Sequence, residues 1–118
     1  MVSSVYNSTL SALQAFGMKM SVIANNIANV NTDGFKKSRV IFEQGCNNSV
    51  RVDIRQINTP GPCIYELNEG QMTERELSNV NLAEEIPQSM ITRRCYEANL
   101  KIIITQSKIL GTIIDINS

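Results

Sequence analysis

Apolar residues recur along the first thirty positions at alternating intervals of four and three residues. Nine positions between residues 2 and 30 follow this spacing, and among them only Thr9 is polar. An average period of 3.5 residues is typical of a helix that packs along a narrow line against a second helix, as in a coiled coil. The sequence therefore predicts a long N-terminal helix. Its packing residues, called the N-terminal stripe below, include Leu13, Phe16, Met20, Ile23 and Ile27.

The end of this helix is rich in asparagine. We expect the helix to end within residues 31–34, because Gly34 can adopt the left-handed conformation that closes many helices. Asparagine is unfavourable inside a helix, since its amide competes for nearby backbone groups. Either the asparagines cap a fraying helix end, or their amides hydrogen-bond the main chain of the following loop or of a neighbouring molecule. The cluster consists of Asn25, Asn26, Asn29 and Asn31.

The last third of the chain predicts a second helix with the same spacing. Asn81 is a suitable N-cap and Glu84 a suitable reach-back acid, so the helix should begin at Leu82. Pro87 forfeits a backbone hydrogen bond, and we expect a kink there or a helix that restarts at this residue. The C-terminal stripe is weak at first and strong after Tyr96. It comprises Leu82, Ile86, Ser89, Arg93, Tyr96, Leu100, Ile103, Ser107, Leu110 and Ile114.

The second helix also carries a second apolar row. One partner helix covers one apolar face, and the chain offers only one other long helix. The surplus face should therefore pack against another molecule, so self-association is the default expectation. This second row consists of Cys95, Ala98, Ile102, Ile109, Ile113 and Ile116.

Between the helices the apolar period changes to two. Lys37–Phe42, Val50–Ile57 and Cys63–Leu67 predict short strands, with a turn cluster at residues 45–49. A sheet this small is marginal by itself. We predict an α+β fold in which long N- and C-terminal helices form a coiled-coil hairpin around a small β-hairpin-rich insert. The expected divisions are 1–34 (helix and Asn-rich loop), 35–77 (β-rich insert and linker) and 78–118 (C-terminal helix).

Composition excludes several kinds of chemistry. The 11 Lys and Arg residues balance the 11 Asp and Glu residues, which gives no electrostatic reason to bind nucleic acid. Histidine is absent from the sequence, which excludes Ser-His and Cys-His nucleophile pairs and His-containing metal or haem sites. There is no glycine-rich phosphate loop and no paired CxxC motif. We therefore expect no enzyme, no metal and no cofactor.

Neither a membrane span nor a secretory leader is expected. The longest unbroken apolar runs, such as Ile102–Ile104, fall far short of the roughly 20 residues that cross a bilayer. The N-terminal segment has neither the basic nor the apolar region of a Sec-type signal peptide. If the protein works outside the cytoplasm, a route other than Sec must export it.

Two features leave alternatives open. Cys46, Cys63 and Cys95 are an odd number without CxxC spacing, so they are either small hydrophobic residues or a redox or intermolecular thiol. The basic cluster at residues 36–39 either contacts phosphate or an acidic partner, or protects a strand edge by its charge. Glu84 and Glu85 are interpreted as acids favoured at a helix start by its dipole.

Motifs at the two ends of the chain are more specific. Residues 10–13 and 24–37 closely resemble the N-terminal signature of bacterial flagellar basal-body rod and hook proteins. Residues 78–85, 96–101 and 110–112 resemble the C-terminal signature of that family. The matches cover about half of the chain and stand in the family's order. The motif residues singled out for a role are Asn25, Asn26, Asn29, Asn31, Thr32, Gly34, Phe35, Tyr96, Glu97 and Asn99.

The resemblance implies a structural subunit of the basal-body rod. In that family the terminal segments are disordered in the free subunit and fold into a coiled coil on assembly into a tube that transmits motor torque. The implied partners are other rod and hook proteins, copies of the same chain and the flagellar type III export apparatus, and the implied location is the periplasmic rod.

Within the family, the short middle is most similar to the proximal-rod proteins, while Tyr96–Ile116 also resembles the distal-rod closing motif. The alternative to a rod subunit is a soluble helical-hairpin dimer that acts as a cytoplasmic adaptor. A thiol-dependent enzyme is a third possibility.

Overall fold

The fold consists of two long helices with two β-hairpins between them. It is seen in a computed structural model that describes residues 2–117. The α+β class, with terminal helices around small antiparallel hairpins, is thereby confirmed. The elements in chain order are α1 (Val2–Ala28), β1 (Ser38–Gln44), β2 (Val50–Gln56), β3 (Cys63–Asn68), β4 (Gln71–Glu76) and α2 (Leu82–Asn117).

Helix α1 ends at Ala28, three residues before the predicted segment 31–34, and the turns that follow it close at a glycine. Gly34 has a φ of +71°, in the left-handed region that favours glycine. Asn29 supports the turn, because its side-chain amide donates to the Asn25 carbonyl at 2.9 Å and its Oδ1 accepts from Thr32 Oγ1 at 3.0 Å. The capping explanation therefore holds for Asn29.

Helix α2 begins at Leu82 and runs without interruption to Asn117. Asn81 caps it, since its Oδ1 accepts the Ala83 N–H at 3.0 Å. The expected restart at Pro87 is wrong. Because Pro87 has no N–H, only the Ala83 carbonyl loses its helical hydrogen bond, and Ala83 is exposed to water in the first turn.

Each hairpin closes with a two-residue turn. Asn47 and Asn48 have φ values of +58° and +59°, and the Ser49 N–H donates to the Cys46 carbonyl at 3.2 Å. This is a type I′ turn, whose twist matches that of the strands it joins. Glu69 and Gly70, with φ values of +51° and +83°, close the second hairpin in the same way.

Strand β4 was not predicted, because its sequence carries no apolar alternation. Its residues Gln71–Glu76 are nearly all polar, yet they pair antiparallel with β3 from Asn68↔Gln71 to Cys63↔Glu76. The first hairpin pairs in the same sense, from Gln44↔Val50 to Ser38↔Gln56. The turn chemistry, rather than burial, thus determines the register of the second hairpin.

Helix α1 lies between α2 and the first hairpin. The two helices run antiparallel. Asn26, near the end of α1, contacts Glu85, near the start of α2, while Gly17, earlier in α1, lies beside Tyr96, later in α2. On its other side, α1 is packed by the first hairpin, whose Phe42 ring meets the Phe16 ring edge-on at 5.1 Å.

The core is thin and the molecule is elongated. Leu13, Ala15 and Ile23 are the buried apolar side chains among the described residues. The principal extents are 84 × 24 × 16 Å, whereas the 36 residues of α2 span only about 54 Å. Since the first hairpin lies along α1, the second hairpin must extend the long axis beyond the start of α2. Within residues 2–117, neither helix is long and apolar enough to cross a membrane.

Candidate functional site

A buried amide links α1 to the first strand. The Asn26 side chain is fully buried, its Oδ1 accepts the Ser38 N–H at 3.0 Å, and its Nδ2 donates to the Ser38 carbonyl at 2.9 Å. The same Nδ2 donates to Glu85 Oε2 at 3.3 Å. Of the two explanations for the asparagine cluster, bonding to the main chain beyond the loop therefore applies to Asn26.

A buried carboxylate joins α2 to the same place. Glu85 is fully buried, and Arg39 Nη1 lies 2.8 Å from its Oε1. A buried carboxylate without such a partner would be strongly destabilising. Arg39 also binds Glu84 at 2.7 Å. We call Asn26, Ser38, Arg39 and Glu85 the polar joint, because they connect α1, β1 and α2.

The basic cluster at residues 36–39 is used within the chain. Lys37 lies 3.3 Å from Glu84, and Lys36 pairs with Glu76. Neither an external phosphate nor strand-edge protection is therefore its main role. Glu84 binds these cations rather than reaching back to its own N-cap, so the predicted capping box is wrong in its second half.

A second side-chain amide, that of Asn79, hydrogen-bonds the main chain on both sides of the base of the first hairpin. Its Oδ1 accepts the Lys37 N–H at 2.7 Å, and its Nδ2 donates to the Ile57 carbonyl at 2.8 Å and the Thr59 carbonyl at 2.9 Å. Asn79 is not among the site residues predicted from the sequence, although it lies in the C-terminal motif that begins at residue 78.

Glu76 fixes the second hairpin to the loop after α1. Its carboxylate accepts hydrogen bonds from Lys36 and from the Gly61 N–H, the latter at 3.2 Å. These two bonds hold the pKa of Glu76 below its usual value. The Glu76 carbonyl accepts the Gly34 N–H at 3.0 Å. The base of this hairpin is thus anchored beside the polar joint.

The two predicted stripes differ in how far their side chains are buried. In the N-terminal stripe Leu13 and Ile23 are buried, and the remaining residues Phe16, Met20 and Ile27 are half-buried. In the C-terminal stripe Ile103 is half-buried, whereas Leu100, Leu110 and Ile114 remain 41%, 42% and 66% exposed. Leu110 and Ile114 therefore stay open in the single chain, whereas Leu100 lines a groove with Phe16 and Met20 of α1.

The face that α2 turns toward α1 is mostly polar instead. Thr92 is buried, Asn99 and Gln106 are half-buried, and the three residues are spaced by seven. Polar residues at such positions weaken helix pairing and favour one register. The same face also includes Glu85, Ser89, Cys95 and Ile103.

The other motif residues lie around these contacts. The Phe35 carbonyl accepts the Asn79 N–H at 3.2 Å, and Glu97 pairs with Arg93 at 3.1 Å. Asn99 Nδ2 donates to the Cys95 carbonyl at 2.8 Å. Exposed positions are occupied by Asn25, Asn31, Thr32, Gly34, Tyr96 and Glu97.

The distal half of α2 exposes a row of large apolar side chains. The antiparallel contacts Asn26–Glu85 and Gly17–Tyr96, extended along both helices, place residue 2 of α1 near residue 110 of α2. Helix α1 therefore does not reach the last turns of α2. Contiguous apolar patches of this kind mark interaction sites. The exposed fractions are 45% for Ile102, 47% for Ile104, 53% for Ile109, 46% for Ile113 and 79% for Ile116.

The residues that the structure describes give little support to a catalytic function. Within the part of the chain that the structure describes, no cluster of His, Cys, Asp or Glu could hold a metal ion. Cys46 and Cys63 are exposed and Cys95 is half-buried, all as free thiols. A hydrogen bond to Glu74 raises the pKa of Cys63, which disfavours the reactive thiolate.

Comparison with known proteins identifies the family of this chain. Residues 7–36 match the family described as "Flagella basal body rod protein". Residues 75–116 match the family described as "Flagellar basal body rod FlgEFG protein C-terminal". The chain belongs to the flagellar rod and hook protein family. Proteins of this family are structural, and the prediction that the chain is not an enzyme is confirmed.

Individual relatives agree with this family. The chain is 42% identical over 77 residues to the flagellar basal-body rod protein FlgG of Buchnera aphidicola subsp. Baizongia pistaciae, covering 61% of this chain and 30% of the relative. It is 58% identical over 43 residues to FlgG of Bacillus subtilis, covering 36% and 16%. It is 50% identical over 50 residues to the flagellar hook protein FlgE of Borreliella burgdorferi, covering 42% and 11%. Each match spans less than a third of the relative's length.

Proposed function

We propose that this flagellar rod-type subunit assembles through its terminal helices into the axial tube and transmits motor torque through the stiffness of that tube. Its partners would be copies of itself and other rod and hook proteins. The observation that carries the proposal is the distal half of α2, where five isoleucines between residues 102 and 116, besides Ile114 of the C-terminal stripe, remain about half exposed or more. A single chain has nothing left to cover them.

The energetics favour completion by a neighbour. Burying a whole isoleucine side chain contributes roughly 1.5–3 kcal/mol, so covering five half-exposed ones would add about 5 kcal/mol per subunit. Ordering each helical residue costs about 1–2 kcal/mol of conformational free energy. The distal turns of α2, which bury little within the chain, therefore gain most of their stability from assembly.

Helices α1 and α2 would complete an antiparallel coiled coil in the assembled state. The helices already lie side by side at Gly17, where a β-carbon would make an ordinary van der Waals contact with the Tyr96 ring at 4.0 Å. The pairing is weak in the single chain, because Thr92, Asn99 and Gln106 occupy the face between the helices. Gln106 Oε1 is buried without a hydrogen-bond partner among residues 2–117, and a neighbouring subunit could supply the donor.

The remaining expectations follow from the same proposal. The subunit would leave the cell through the flagellar export apparatus and reside in the periplasmic rod. Residues 1–34 and 78–118 would form the two halves of the rod core, and residues 35–77 would face outward from it.

Concentration-dependent circular dichroism tests the proposal. Helical content should rise with protein concentration, in parallel with a sedimentation coefficient above that of a monomer. An I109E/I113E variant should stay monomeric, because it places charges in the exposed apolar surface. The matched control is Q44E/Q56E, which adds the same charge on exposed strand positions of the first hairpin. A wild-type chain that is monomeric and equally helical at all concentrations would contradict self-assembly.

A further inference from the structure

The second hairpin is a projecting arm. The arm, defined as β3, its turn and β4 (Cys63–Glu76), is tied to the chain at its base through Lys36–Glu76 and through Asp33–Arg75 at 3.3 Å. Toward its tip, one face is apolar and open. Its side chains Tyr65, Leu67 and Met72 are 65%, 70% and 69% exposed, and Leu67 pairs across the hairpin with Met72.

This apolar face is also acidic. Tyr65 pairs with Glu74, so the two side chains share the face with Leu67 and Met72. The arm has four Glu residues and one Arg, a net charge of −3. That arginine, Arg75, is already engaged with Glu66 at 2.9 Å on the opposite face. Within residues 2–117, neither Glu69 nor Glu74 pairs with a cation. A surface that fits this face must be apolar and basic.

Helix α2 offers such a surface on its far side. Arg94, Lys101 and Lys108 are spaced by seven and exposed, on the face opposite the one turned toward α1. We call them the basic row. None of the three pairs with a carboxylate in the part of the chain that the structure describes. Ile102 and Ile109 lie directly beside the row and are about half exposed.

We propose that the arm of one copy docks on the basic row of a second copy. The inference deepens the proposed function and rests on it, because assembly must bring the copies together. The same chain cannot make this contact. The arm is anchored at the polar joint and extends the molecule beyond the start of α2, whereas Lys101 lies about 24 Å from Glu85 in the other direction along α2.

The contact therefore joins two different surfaces at opposite ends of the molecule. A contact of this type is heterologous, so every copy keeps one free arm or one free basic row until another copy arrives. It would build an open-ended series or a closed ring rather than a simple dimer. Opposite charges would align the arm on the helix, and the adjacent isoleucines would cover Tyr65, Leu67 and Met72.

A charge exchange between two full-length variants tests the pairing. The arm variant is E69K/E74K, and the row variant is R94E/K101E/K108E. Each variant alone presents like charges at the contact and should associate at least about tenfold more weakly than the wild type in sedimentation equilibrium. An equimolar mixture should associate again, because each variant's arm is then complementary to the other's row. E43K on the first hairpin is the control and should associate as the wild type does.

The outcomes separate this inference from the proposed function. If the wild type associates and both variants also associate normally, the arm does not bind the basic row, while self-assembly stands. If both variants lose association and their mixture does not recover it, the charges matter for another reason and the pairing is rejected. If the wild type itself stays monomeric, the proposed self-assembly fails, and this inference fails with it. Circular dichroism of each variant confirms that its secondary structure is retained.

Discussion

Asn26 in α1 and Ser38 in β1 exchange two hydrogen bonds, at 3.0 and 2.9 Å, through one side-chain amide and one backbone position. The amide thus occupies the place of a neighbouring strand at the start of the first hairpin. Because Asn26 is fully buried, water cannot replace it. Its third bond, to Glu85, extends the same connection to α2. One residue therefore determines how three elements meet.

Removing this amide should destabilise the fold. We expect N26A to lower the free energy of unfolding by about 2–4 kcal/mol, because it leaves the Ser38 backbone groups and Glu85 Oε2 without a partner. Urea denaturation followed by far-UV circular dichroism measures the change. N25A is the matched control, since Asn25 is exposed, and it should stay within about 0.5 kcal/mol of the wild type. Equal losses in the two variants would show that the helix end, not the joint, responds.

The Arg39–Glu85 ion pair should matter more than an exposed one. R39A leaves a buried carboxylate without a cation, and we expect a loss of about 3 kcal/mol in the free energy of unfolding. R55A breaks a pair with Asp53 in which the arginine side chain is 65% exposed, and it should cost less than about 1 kcal/mol. Similar values for the two variants, measured by the same urea titration, would contradict the role assigned to Glu85.

The anchoring of the arm should depend on pH. The pKa of Glu76 is lowered in the folded chain by its bonds to Lys36 and Gly61. The stabilisation is therefore fully present above the ordinary glutamate pKa of about 4.3 and is lost as the pH falls through the lower folded value. The protection factors of the Gly61 and Leu77 amides, which correct hydrogen exchange for its intrinsic dependence on pH, should fall on acidification below about pH 4. In E76Q this acid-induced step should disappear, and an unchanged step would assign it to another carboxyl group.

Two glycines should respond in opposite ways to alanine. A β-carbon at Gly61 would lie 2.1 Å from the Leu77 carbonyl oxygen, so G61A must displace the backbone at the base of the arm. At Gly111, inside α2, a β-carbon meets nothing within 4 Å. We expect G61A to destabilise by more than about 1 kcal/mol and G111A to stabilise by about 0.5–1 kcal/mol. Thermal unfolding of both variants checks the contrast, and a destabilised G111A would show that close packing occurs there.

The sequence predicts the elements that carry local signals and misses those that depend on distant partners. The 3.5-residue spacing predicts both helices, and Asn81 correctly marks where α2 begins, whereas α1 ends at Ala28, before the predicted segment 31–34. The strand Gln71–Glu76 has no apolar alternation and forms because the Glu69-Gly70 turn directs it back along β3. A search for apolar periods cannot find such a strand.

The orientation of α2 was also beyond the sequence pattern. Apolar spacing favours a stripe through Leu100 and Leu110, yet the chain turns Thr92 and Asn99 toward α1. The buried Glu85 explains the choice, since its bonds to Arg39 and Asn26 orient the first turns of the helix. Sequence reasoning placed Glu84 and Glu85 at the helix start but could not tell that one of them is buried, because its partners lie more than 40 positions away.

The two-residue turns have a kinetic consequence. Each hairpin joins residues close in sequence, at most from Ser38 to Gln56, whereas the helices meet through Asn26 and Glu85, which are 59 positions apart. Short loops close within microseconds, and distant contacts form later because their loop entropy is larger. An unfolded chain emerging into a confined space would therefore form its two hairpins first and pair its two terminal helices last.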